Sequence, residues 1–224
     1  MITGPLITEN PFGLVDIIWR EVGFAVSRTQ VQSVNDVTVR LPDALRTAVP
    51  KRQSEYLAGR LCAAHALRAM GLPETVGIND RAPVWPQGAV GSISHSDNRA
   101  IAVVSRDLAG LGVDVEPLMT AAQAKDVRDI VLTAAETTRG PRHLSPEAFL
   151  TLAFSAKESV YKALSPHLSQ MPSFHDVNLL GVTSKTVQLH FAGVDLTAHF
   201  MLTDQDVTTM VAFDAALQQS LVVR

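Results

Sequence analysis

Gly110-Leu111-Gly112-Val113-Asp114-Val115-Glu116-Pro117 is the stretch on which the reading of this chain turns. Gly110-Leu111-Gly112 is expected to break the chain ahead of a strand, Val113–Glu116, that stops at Pro117. Alternate side chains of a strand share a face, so Asp114 and Glu116 stand together while Val113 and Val115 pack on the other side. Two carboxylates so placed on an otherwise apolar strand repel each other. A divalent cation with oxygen ligands holds such a pair most easily, and Mg²⁺ uses few carboxylates together with substrate phosphate. A solvated edge face closed by a proline has the same pattern, and the segment alone leaves both readings open.

Outward from this point the chain repeats one arrangement. Upstream, the first 40 residues hold short β-leaning runs, Leu14–Trp19 and Val22–Val26. A helix then opens at Pro50 and closes before Gly71, with Leu57, Leu61, Ala64 and Ala63, Leu67, Met70 at helical spacing. Strands Val90–Ser94 and Ala100–Ser105 follow, joined by a turn at Asp97-Asn98. Downstream, helices are expected over Ala121–Leu132 and Pro146–Leu164. Strands are expected at Thr186–Phe191, Leu196–Leu202, Val207–Phe213 and Leu221–Val223. Helix followed by antiparallel strands occurs twice, which predicts an α+β fold of two halves, 1–108 and 109–224.

Composition narrows the function classes. The chain has 224 residues, 46% of them hydrophobic and 18% charged, enough to bury a sizeable core. A net charge of −3 argues against nucleic-acid binding through bulk charge. Cys62 stands alone, which excludes a disulfide framework and a cysteine-rich zinc site. No apolar run reaches the length of a membrane span, and the N-terminus lacks the pattern of a signal peptide. The expectation is a soluble, cytoplasmic protein.

Three further segments carry candidate chemistry. In Phe154-Ser155-Ala156-Lys157-Glu158-Ser159-Val160-Tyr161-Lys162-Ala163, Glu158 and Lys162 lie one helical turn apart, near the face of Phe154. An ordinary surface ion pair has that spacing too. Lys157 points elsewhere and is available to a different part of a ligand. In Gly91-Ser92-Ile93-Ser94-His95-Ser96, a Ser–His hydrolase pair fails on geometry, since adjacent strand residues face opposite ways. A strand end of this kind suits hydrogen bonds to a phosphate, or a turn cap. In the helix Lys51–Leu61, Arg52 and Arg60 project within about 80° of each other, so they suit one anion as well as an exposed face. Gly59 between them costs about 1 kcal/mol relative to alanine, a sign of a close neighbour.

In this order, these motifs closely resemble the 4′-phosphopantetheinyl transferase superfamily, in its larger single-chain form that activates peptide and siderophore synthetases. The resemblance rests on the Lys51–Arg60 helix, Arg81-Ala82-Pro83-Val84-Trp85-Pro86, Gly91–Ser96, Gly112–Pro117 and Phe154–Ala163. It implies transfer of the 4′-phosphopantetheine arm of coenzyme A to a serine of a peptidyl, aryl or acyl carrier protein, with Mg²⁺ as cofactor and adenosine 3′,5′-bisphosphate released. It implies Asp114, Glu116 and Glu158 as metal ligands, and Lys157 and Lys162 at the diphosphate. Ser94 and His95 would hold phosphate oxygens, Arg52 and Arg60 the 3′-phosphate, and Arg81 the region of the adenine. Glu158 would accept the serine proton, directly or through a metal-bound water. A monomer of two similar, pseudo-twofold halves with the active site in the cleft between them is implied as well. Phe154 stands where many relatives carry Trp. The alternatives are a non-catalytic module for coenzyme A or a nucleotide, and a metal-dependent phosphohydrolase.

Overall fold

The computed structural model describes residues 1–79, 82–168, 170 and 172–221. The chain divides into two compact units, Met1–Asp107 and Leu108–Arg224. Each sets one long helix on an antiparallel sheet, an α+β fold.

In the first unit, strand β1 (Ile18–Gly23) and a hairpin of β2 (Val31–Val34) and β3 (Val37–Arg40) precede helix α1 (Pro50–Ala69). A second hairpin, β4 (Gly77–Asn79) and β5 (Ala82–Val84), leads to β6 (Val90–His95) and β7 (Arg99–Ser105). The sheet runs β1-β7-β6. Ala58, Cys62, Ala63, Ala66 and Leu67 of α1 are buried in one cluster with Val22, Ala100, Ala102 and Val104 of the sheet. Gly59 is part of that fit, because a Cβ there would stand 2.7 Å from Ile93 Cγ2. The two β-leaning runs expected near the N-terminus are instead the single strand β1. The additional hairpin turns at Asn35 and Asp36, whose φ angles of 45° and 63° are those of a tight two-residue connection. Val37 beyond the turn packs with Leu61 and Ala64 of α1.

The second unit runs β8 (Gly110–Pro117), α2 (Ala121–Val131), α3 (Ala134–Thr137), α4 (Pro146–Leu164), β9 (Asn178–Val182), β10 (Thr186–Phe191), β11 (Val194–Leu202), β12 (Asp206–Phe213) and α5 (Ala215–Ser220). Its sheet has the order β8-β12-β11-β10-β9, so the first strand of the unit pairs with the last. Helix α4 starts on the Ser145 hydroxyl, which accepts the Ala148 N–H at 3.1 Å, with Pro146 in its first turn. Leu152, Ala153, Ala156 and Val160 of α4 share a core with Val187, Leu189, Leu196 and Val211 of the sheet.

Two expectations change in this unit. Gly110 and Gly112 lie inside β8 and do not break the chain before it. A Cβ at Gly110 would run into the Phe213 ring, and one at Gly112 into the Ser159 carbonyl oxygen, so both glycines serve close packing. At the C-terminus, Asp214 caps α5 by accepting the Leu217 N–H at 2.9 Å, where the last strand was expected to begin soon after. Residues 222–224 of that expected strand lie outside the described residues. No described helix is long and apolar enough to cross a membrane.

Candidate functional site

Helix α4 lies directly on β8 because Gly112 leaves room for the Ser159 carbonyl. That closeness lets Lys162 Nζ donate to Asp114 Oδ1 at 2.7 Å and to the Val113 carbonyl at 3.1 Å. Asp114 is only 2% exposed. In register with Asp114 on β12 is Thr209. Its hydroxyl donates to the Ser155 carbonyl at 2.8 Å and lies 2.7 Å from Ser159 Oγ, tying α4 to the sheet. Glu158, one turn before Lys162, is half-buried. Burial holds its carboxyl above the usual carboxylate range, the charge of Asp114 adds to the rise, and Lys162 opposes it. Asp114, Glu158 and Lys162 therefore act on one another. Glu116 projects from the same strand face two residues on, opposite Val207 in register. Among the described residues, no three His, Cys, Asp or Glu side chains are gathered as a ready cation site.

Beside Glu158 the same helix carries an aromatic group. The Phe154 and Phe174 rings stack with centroids 5.3 Å apart, and Tyr161 meets Phe174 edge-on at the same separation. The Tyr161 hydroxyl is buried without a hydrogen-bond partner among the described residues. Burial pushes its ionisation well above the ordinary range, and Glu158 adds to the effect.

Lys157 departs from the sequence expectation of a diphosphate contact. It is 0% exposed. Its ammonium donates to the Val131 carbonyl at 2.8 Å, the Phe174 carbonyl at 2.9 Å and the Glu136 carboxylate at 3.0 Å. Those three acceptors use all three of its protons, so none is left for a ligand. Burial lowers the Lys157 ionisation and Glu136 opposes the fall. Burial would raise Glu136, but N–H groups of Leu179 and Thr133, then Lys157, hold it below the carboxylate range.

In the first unit, Arg52 Nη1 stands 3.5 Å from His95 Nε2 at the end of β6. The other ring nitrogen, Nδ1, is 3.8 Å from Glu55 Oε1. Arg52 can only donate, so Nε2 accepts and the imidazole sits between a cation and a carboxylate. Sequence reading missed Glu55; its place one turn after Arg52 was the available signal. Ser94 is in register with Ile101 and His95 with Ala100, so the two side chains leave opposite faces of the sheet. Arg60 is 8% exposed, donates to the Gly77 carbonyl at 2.9 Å and lies 5.2 Å over the Tyr56 ring. Its Nε has no partner among the described residues. The two arginines thus have separate neighbours, and about 12 Å of helix rise lies between them. Arg81 lies outside the described residues. A cavity of about 550 Å³ opens at the start of α4, lined by Leu132, Phe149 and Leu150 with Arg128 and Arg142, and none of the candidate residues lines it.

Residues 41–105 match the family described as 4′-phosphopantetheinyl transferase N-terminal domain, and residues 110–216 match the 4′-phosphopantetheinyl transferase superfamily. The chain is similar to enterobactin synthase component D of Salmonella typhimurium, 41% identical over 66% of this chain and 63% of the relative. It is 37% identical to enterobactin synthase component D of Escherichia coli O157:H7, over 76% of this chain and 82% of the relative. The 4′-phosphopantetheinyl transferase Npt of Nocardia iowensis is 33% identical over 59% of this chain and 60% of the relative. The chain thus spans less than two thirds of the Salmonella relative's length.

Proposed function

The chain belongs to the 4′-phosphopantetheinyl transferase superfamily, and from that membership we propose that it moves the 4′-phosphopantetheine arm of coenzyme A onto a serine of an apo carrier protein. The carriers fitting the named relatives are those of siderophore synthesis, whether peptidyl, aryl or acyl. The observation that supports the reading most is the Lys162–Asp114 bond between α4 and β8, with Glu158 one helical turn from Lys162. It lies inside the segment that matches the superfamily.

Asp114, Glu116 and Glu158 are hard oxygen donors of the kind Mg²⁺ takes, and because they are not gathered as a ready site they would have to draw together around the cation. Asp114 and Glu158 would hold it with Glu116 of the same strand face. When bound, Mg²⁺ supplies charge neutralisation at the diphosphate of coenzyme A. The serine Oγ attacks the phosphorus that bears the pantetheine arm. A new P–O bond forms as the bond to the bridging oxygen breaks, and adenosine 3′,5′-bisphosphate leaves with that oxygen. Glu158 takes the serine proton. Lys162 turns its ammonium from Asp114 toward the phosphoryl oxygens. Arg52 with His95, and Arg60, hold the phosphates of the nucleotide, as guanidinium forks do. Positioning and charge stabilisation carry most of the rate in such transfers.

The test is incubation with coenzyme A, Mg²⁺ and apo carrier proteins of the three kinds. The expected result is a carrier heavier by one phosphopantetheine arm, with equimolar adenosine 3′,5′-bisphosphate. Binding of coenzyme A with no carrier modified would overturn the proposal in favour of a non-catalytic module.

A further inference from the structure

Two neighbouring residues of α4 have opposite environments: Lys157 is sealed inside the second unit, while Glu158 is half-buried, one turn from the Lys162 that bonds Asp114. The Lys157 ammonium ties together four pieces of chain. It reaches the last residue of α2 through the Val131 carbonyl and α3 through Glu136. It also holds the segment before β9 through the Phe174 carbonyl. Glu136 in turn accepts the N–H of Thr133 at 2.8 Å and of Leu179 at 2.5 Å, so β9 joins the same knot. Holding the Phe174 carbonyl also holds its ring against Phe154 and Tyr161.

On a second flank, Ser155 and Ser159 are bonded to Thr209 of β12. Lys157 and Ser159 are two residues apart, so they leave the helix axis about 160° from each other. Glu158 lies between them in sequence and in direction. The helix is gripped on nearly opposite sides, and that grip fixes its rotation.

Resting on the functional reading above, we propose that Lys157 is a positioning residue: with Glu136 it fixes the rotation of α4 and so aims Glu158 at Asp114, without touching substrate. Lys157 and Glu136 form a buried pair between which no ligand atom has access, and the consequence of the pair is the direction of a neighbouring side chain.

The test compares Glu136→Gln and the double variant Lys157→Met/Glu136→Leu with the unaltered chain. The double variant removes both charges together, so neither is left buried without its partner, which favours a folded protein where the single variant unfolds. Two quantities are read: Mn²⁺ affinity by titration in the presence of coenzyme A, and kcat and KM for coenzyme A. The expected result is a fall of about tenfold in Mn²⁺ affinity and in kcat, with KM unchanged, in a protein none of whose ligands was altered. A raised KM at unchanged kcat in the double variant would overturn the proposal, because Lys157 would then be a substrate contact. Folded variants with unaltered Mn²⁺ affinity and kcat would overturn it too, as the pair would only hold the fold. Failure of the unaltered chain to transfer at all counts against the functional reading alone, and the Mn²⁺ titration still decides the positioning role.

Discussion

Lys162 Nζ stands 2.7 Å from Asp114 Oδ1, joining the last turn of α4 to the strand that opens the second unit. The two ends differ in access, since the Lys162 side chain is 29% exposed and that of Asp114 3%. Removing the amine takes a neutralising charge from a buried carboxylate, whereas removing the carboxylate leaves an amine that turns to water. Lys162→Met is therefore expected to destabilise the protein by about 2 kcal/mol, and Asp114→Asn by clearly less. Urea unfolding of the two variants checks the asymmetry. Equal losses would mean that the partially exposed pair behaves as a surface one.

Glu158 gives a prediction of opposite sign. Its folded carboxyl holds protons more tightly than in the unfolded chain, because of burial and Asp114. The folded state therefore binds more protons between the unfolded value, about 4.3, and the folded one, and stability falls as pH rises through that window. Above the window the ionised group is a standing cost. Glu158→Gln is expected to raise Tm at pH 7 in the metal-free protein, to leave it unchanged below about pH 4, and to remove transfer. A lower Tm at pH 7 would contradict the cited cause.

Arg52 can be tested through the ligand. If its guanidinium grips the 3′-phosphate, Arg52→Ala raises KM for coenzyme A by about tenfold and leaves KM for 3′-dephospho-coenzyme A unchanged. A parallel rise for both would place Arg52 on another part of the nucleotide. Arg52 is the cleaner choice than Arg60, whose bond to the Gly77 carbonyl also holds β4.

Gly112 has backbone as its neighbour, which cannot move aside as a flexible side chain would. Gly112→Ala is expected to destabilise the protein by about 3 kcal/mol and to weaken transfer in what remains folded, as α4 is pushed from β8. Chemical denaturation and kcat at low temperature measure the two effects separately. A variant of unaltered stability would show that α4 has slack against the strand.

The local patterns of the chain carried much of this. Pro146 to Leu164 is one helix from end to end, and Asp97-Asn98 does turn between β6 and β7. The α+β class followed from the order of such segments. What escaped was set by distance or by a conflict of local signals. Lys157 reads as a ligand contact because charged residues are rarely fully buried unless paired, and its partner Glu136 is 21 residues away. The glycines of β8 read as a break because the partners that need their missing Cβ atoms, Phe213 and Ser159, come later in the chain. The β2–β3 hairpin has only a weak local signal, because the two positive-φ residues of its turn, Asn35 and Asp36, are not glycine. Glu55 was hidden among ordinary helical charges until His95 was folded beside it.

The pairing of β8 with β12 sets a schedule for synthesis. Asp114 leaves the ribosome early, yet Val207 and Thr209, the residues its strand pairs with, are made about ninety positions later. A nascent chain halted before residue 206 therefore holds every acid and amine of the candidate site while lacking the strand that supports Asp114. The second sheet closes late, so the strand that carries Asp114 waits for its neighbour while the first unit, made earlier, is free to fold as a unit of its own.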